Sequence, residues 1–196
     1  ICYYNLMKKD YEIMPFQSAA IWRKWLDQHS ADTDGLWLKL YKKDSGVETV
    51  SYPEALDEAL CYGWIDGQSK SLDDKSYLQK FTPRRKASLW SKVNIGHVQR
   101  LSQAGRMMPR GIEEVERAKS DGRWLAAYDK PSEMVTPDDF VAEIEKRLRA
   151  KAFFETLNKS NRFAIAWRLQ TAKTETTRQR RLDKIIDQLE SGQKLV

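Results

Sequence analysis

Cysteine occurs only twice in this 196-residue chain, at Cys2 and Cys61. That is too few for a disulfide framework or a four-thiolate zinc site, so the expected setting is a reducing, cytoplasmic one. Nine glycines and six prolines exclude collagen-like and low-complexity chains, and 41 % hydrophobic with 32 % charged residues excludes wholesale disorder. No stretch approaches the roughly 18 uninterrupted apolar residues that would span a bilayer. Residues 1–16 carry Lys8, Lys9, Asp10 and Glu12 and lack the apolar run of a signal peptide, although a first residue of Ile leaves a removed leader open. Histidine is as scarce as cysteine, at His29 and His97, and no Cys/His spacing suggests a metal. Walker, G-x-G-x-x-G, H-E-x-x-H and G-x-S-x-G patterns are all missing. No cofactor is expected, and no residue pattern demands catalysis.

What is present is charge, unevenly placed. The net charge is +6, yet residues 75–110 contain no Asp or Glu and nine cations: Lys75, Lys80, Arg84, Arg85, Lys86, Lys92, Arg100, Arg106 and Arg110. A second basic stretch, 151–181, sets eight cations against Glu155 and Glu175. Such asymmetry points to an anionic small molecule, an acidic protein surface or nucleic acid as partner. The competing reading is a solvated basic face neutralised by the protein's own acids.

The chain reads as predominantly helical α+β. Ile21, Trp22, Trp25, Leu26 and His29 recur at helical spacing, predicting a helix over 18–29. Residues 36–41 alternate as a strand with Leu36, Leu38 and Leu40 on one side. Ser51-Tyr-Pro-Glu54 is a capping box opening a helix to about Tyr62, with Tyr52, Leu56, Ala59 and Leu60 as its stripe and Gly63 as its stop. Residues 64–66 and 77–81 add two short strands, so a small three-stranded antiparallel sheet is expected. Helices follow over about 91–104 and 109–119, then a short helical turn at 123–128. Beyond a linker at 129–135, three helices are expected, the first behind Thr136-Pro-Asp-Asp139 with Phe140, Val141, Ile144 and Leu148 as its stripe, the others starting at Ser160 and about Thr174. This divides the chain into an α+β domain, 1–135, and a helical subdomain, 136–196.

The candidate binding residues are Trp64, Asp66, Lys70, Arg84, Arg85, Lys86, Trp90, Ser91, Asn94 and His97. Asn94 and His97 share a helix face with Val98 and Leu101, which aims two polar side chains into packing and calls for either a polar network or a pocket. Ser91, as an N-cap beside Arg84, Arg85 and Lys86, adds anion-attracting N–H groups. Trp64 and Trp90 flank this segment; each is either core or a stacking wall for a planar ligand. In the last helix Arg178 lies on the apolar stripe, which predicts a clamp onto a carboxylate or carbonyls.

Gly63-Trp-Ile-Asp-Gly67, Phe81-Thr-Pro-Arg-Arg-Lys86 and Leu89-Trp-Ser-Lys-Val-Asn94, with Gly105-Arg-Met107, Gly122-Arg-Trp124 and the Arg178-bearing helix, resemble the YdeI/OmpD-associated (bacteriocin-protection) family from Trp22 onward. The resemblance implies a tie to envelope stress or antimicrobial-peptide resistance. It carries over Trp64, Asp66, Arg84, Arg85, Trp90, Ser91, Asn94, Arg123 and Arg178 without a role for any. Three functions follow: a non-catalytic module for an anionic ligand or partner; nucleic-acid binding through the two basic stretches, with no recognition helix or stacking motif in view; and an enzyme using Asp66, Lys70 or His97.

Overall fold

The computed structural model describes residues 11–130 and 132–195. Its elements are β1 (Ile13–Pro15), α1 (Ala19–His29), β2 (Leu36–Tyr41), α2 (Tyr52–Cys61), β3 (Trp64–Ser71), β4 (Ser76–Pro83), α3 (Lys92–Gln103), α4 (Pro109–Ser120), α5 (Asp138–Ile144), α6 (Leu148–Glu155), α7 (Lys159–Gln170) and α8 (Glu175–Glu190). The protein is therefore a predominantly helical α+β fold. It divides into two compact units: one runs to Ser88 and resumes over Asn94–Leu125, and the other holds Leu89–Val93 and Ala126 onward.

In the first unit the sheet order is β1-β2-β4-β3. β2 and β3 each pair antiparallel with β4, whereas β1 runs parallel to β2. The sheet is thus mixed and four-stranded rather than three-stranded and antiparallel. A three-residue strand ending in proline is too short for alternation to reveal. β2 buries Leu36, Leu38 and Leu40 and leaves Trp37, Lys39 and Tyr41 half-covered on its other side. Trp22 of α1 packs among Phe16, Trp64 and Phe81, with ring centroids 5.0–6.3 Å away. Its indole N–H donates to the Ala55 carbonyl at 3.1 Å, so a large apolar body is buried without stranding its one polar atom.

α2 begins as its capping box demands, with the Ser51 N–H donating to the Glu54 carboxylate at 2.9 Å. Gly63 ends it at φ +74°. A side chain there would meet Glu114 and the Arg110 backbone of α4, and a Cβ on Gly111 of α4 would stand 2.1 Å from the Cys61 carbonyl oxygen. Two glycines therefore set how closely α4 lies on the end of α2. The predicted stripe of α2 missed Glu58, only 4 % exposed, which accepts from Arg23 at 2.7 Å and Arg106 at 2.5 Å.

In the second unit Phe140, Ile144, Ala150, Leu157, Ile165, Leu169 and the α8 stripe Leu182, Ile185, Ile186 and Leu189 form one core. The single helix expected behind Thr136 is two. α5 ends at Ile144, and α6 restarts after Arg147, whose backbone (φ −123°, ψ 84°) is not helical. Leu148 is consequently 81 % exposed instead of core, and α6 turns Ala150, Phe153 and Phe154 inward. The helical turn expected at 123–128 is a non-helical turn ending in a bridge between Ser91 and Tyr128.

Candidate functional site

The chain leaves β4 at Pro83, and the Arg84 N–H donates to the Gly63 carbonyl at 3.0 Å. This bond seats a nearly buried guanidinium side chain beside the glycine over which α4 packs. α4 carries Arg110, Glu113, Glu114 and Arg117 at the spacing that aligns them on one helix face. These residues enclose, with Tyr62, Gly63, Trp64, Pro83 and Arg84, a cleft of about 160 Å³. Arg84 also borders a second cavity of about 280 Å³, shared with Tyr11, Asp34, Thr82, Pro83 and Arg85.

Three guanidinium groups and two carboxylates thus line the cleft, a surplus of one positive charge. Glu114 and Arg117 form an ion pair within it. At its edge the Tyr62 hydroxyl donates to Asp27 at 3.2 Å, and burial chiefly pushes its pKa up to about 12, so it remains a neutral donor. A guanidinium presents a planar fork of N–H donors that matches a carboxylate or phosphoryl group. Of the two carboxylates, that of Glu114 is already taken by Arg117.

The residues picked out from sequence distribute as follows. Arg84 and Arg85 meet at the second cavity, and Lys86 is exposed on the loop beyond them. Trp64 is fully buried, its N–H donating to the Ser30 carbonyl at 3.2 Å, which supports the core reading of that ring. Trp90 and Ser91, both buried, belong to the second unit. Asn94 and His97 are half-covered on α3, and His97 joins a polar network: its Nδ1 lies 3.5 Å from Asp57, which Arg100 grips at 2.7 and 2.9 Å. Asp66 accepts from the Tyr52 hydroxyl at 2.9 Å, and burial with this neighbouring carboxylate raises the tyrosine pKa. Lys70 instead reaches over the Trp37 ring, 4.3 Å from its centroid. Asp66 pairs with Phe81 and Lys70 with Leu78 across the ladder, which puts them on opposite faces of the sheet. The suggested Asp66–Lys70 acid–base pair therefore does not assemble.

Arg110 was visible in the acid-free run, but Glu113, Glu114 and Arg117 were not picked out, because only the close packing of α4 over Gly63 brings them to Arg84. Several cations of that run are neutralised by acids from elsewhere in the chain: Lys92 by Asp129, Arg100 by Asp57 and Arg106 by Glu58. Among the described residues no cluster of three or more His, Cys, Asp or Glu could hold a metal ion, and no helix is long and apolar enough to cross a membrane.

Residues 14–114, more than half of the chain, match the family model of a domain of unknown function (DUF8412). Residues 133–192 match the bacteriocin-protection, YdeI or OmpD-associated family. The latter resemblance is thus supported at the C-terminal helices, while the Gly63–Asn94 motifs fall within the first match. No curated protein and no solved structure matches the chain.

Proposed function

Because the chain belongs to the domain family of unknown function that its residues 14–114 match, we propose from its geometry that it is a non-catalytic binding protein whose first unit holds a small anion in the Gly63–Arg84–Arg110 cleft. The observation that carries this reading is the convergence of Arg84, just past β4, with Arg110 and Arg117 of α4 on one cleft. A drug-sized ligand needs about 300–1,000 Å³. A cleft of 160 Å³ suits a carboxylate or a phosphoryl group, not a whole nucleotide. The division of Asp66, Lys70 and His97 among separate partners supports binding over catalysis. The similarity of residues 133–192 to the bacteriocin-protection family supports a role in protection against bacteriocins.

Titration calorimetry with inorganic phosphate and with small mono- and dicarboxylates tests the reading. One of them should bind, and Arg110→Gln, at an exposed position, should weaken it by about tenfold or more, the worth of a charge-assisted hydrogen bond. If no such anion binds, or the variant binds as the parent does, the cleft is structural.

A further inference from the structure

The outer face of the sheet in the first unit is a second surface, separate from the cleft. Leu36, Leu38 and Leu40 turn inward from β2, so Trp37, Lys39 and Tyr41 face outward. The register sets Lys80 of β4 opposite Trp37, and Leu78 between Lys39 and Lys70. From β3, the Lys70 ammonium crosses β4 to reach the Trp37 ring, at 4.3 Å from its centroid. Lys39 lies over Tyr41 at 4.7 Å, and Lys80 lies 5.9 Å from the Trp37 centroid and 3.9 Å from that of Tyr11. Leu78 is fully buried beneath this layer. The face thus alternates aromatic rings with ammonium groups. Among the described residues, Asp73 at the hairpin end is set against these lysines, 3.9 Å from Lys39.

We infer that this face binds single-stranded nucleic acid, with Trp37 and Tyr41 as stacking surfaces and Lys39, Lys70 and Lys80 as phosphate contacts. An ammonium group over a half-covered ring at the surface is a weak, partly solvated contact. A base that displaces Lys70 from Trp37 gains a larger stacking interaction and leaves the lysine beside the backbone phosphate, where its charge is better matched. The rings offer π-faces rather than a helix for a groove, so the occupant must have unpaired bases. Charge complementarity selects a polyanion, and the rings select one that carries planar groups.

Fluorescence anisotropy with an oligothymidylate of about 15 nucleotides tests this, using the full chain at low salt. Binding should exceed that of a duplex of equal length. The logarithm of affinity should fall with the logarithm of salt at a slope of about −2, as expected for three phosphate contacts on a single strand. Lys39→Gln, Lys70→Gln and Lys80→Gln together should flatten that slope and lower affinity more than tenfold. Trp37→Leu should lower affinity at least fivefold and leave the slope in place; Tyr41→Leu supplies the same readout if the Trp37 variant does not fold. Absence of binding, equal affinity for the duplex, or indifference to loss of the rings would overturn the proposal. Equal competition by polyglutamate would overturn it in favour of an acidic protein partner.

Discussion

In the 151–181 stretch the guanidinium groups of Arg162, Arg178 and Arg181 are turned onto the protein itself. Arg178 of α8 grips both oxygens of Asp139, at 2.7 and 2.8 Å, and donates to the Leu169 carbonyl at 2.8 Å. Arg181 donates to the Arg168 carbonyl, and Arg162 to those of Leu157 and Glu155. These carbonyls lie near the ends of α6 and α7, where the helix has no partners of its own to offer, so the cations complete the fold. In the 75–110 stretch only part of the charge is used in this way. Lys92, Arg100 and Arg106 are matched by distant acids, while Arg84, Arg85 and Arg110 stand at cavities and Lys80 lies against aromatic rings on the outer face of the sheet. Two basic runs of similar composition thus serve different ends. The difference lies in whether carbonyls and carboxylates come within reach in three dimensions.

The largest effect expected from disturbing this arrangement is at Gly111. Gly111→Ala would drive a methyl group into the Cys61 carbonyl, a backbone group that cannot swing aside. It should cost about 3 kcal/mol in chemical denaturation. If the protein still folds, the shift of α4 should also weaken anion binding in the cleft. Next comes Glu58→Gln, which removes the buried charge shared by Arg23 and Arg106 and should cost about 2–3 kcal/mol. Arg106 would then lose its carboxylate partner, and affinity for polyanions should rise at low salt.

In the second unit Arg178→Gln should cost about 1–2 kcal/mol, since it breaks a bidentate pair and a carbonyl cap together. The hydrogen bonds from Arg178 hold the Asp139 carboxyl below its usual range. A carboxyl depressed in the folded state stabilises fully above its unfolded value of about 4, and that contribution is lost as pH falls through the folded value. Urea titrations across acidic pH should therefore show a steeper loss of stability in the parent than in Arg178→Gln. The smallest change is Lys92→Gln. Its partner Asp129 also accepts from Gln170, and the lysine is well exposed, so stability should move by less than about 1 kcal/mol. A large loss there would mean that the first stretch is as structural as the second.

Legibility in the sequence followed locality. The capping box at Ser51, the alternation of β2 and the stripe of α8 are encoded by neighbours within one or two turns, and each appears where those neighbours place it. β1 carries too few residues to show a period, and Val141 and Leu148 imitate a stripe that the non-helical Arg147 interrupts. For the site, Arg84 and Arg85 were readable as adjacent cations in a run without acids. Their cleft partners on α4 were not, because nothing near Glu113 or Arg117 in the chain indicates that Gly63 and Gly111 let the helix close over Arg84. The outward set Trp37, Lys39 and Tyr41 was implicit in the alternation of β2, but its companions Lys70 and Lys80 needed the strand order.

By itself the sequence determined the class of fold, most helix boundaries, the positive excess and where acids are missing, since these depend on residue type and short-range spacing. Only the tertiary structure decided which cations are neutralised, which side chains share the outer face of the sheet and which arginines share a cavity. Electrostatic and stacking contacts act through space over a few ångströms, and the chain brings such partners together from tens of residues away.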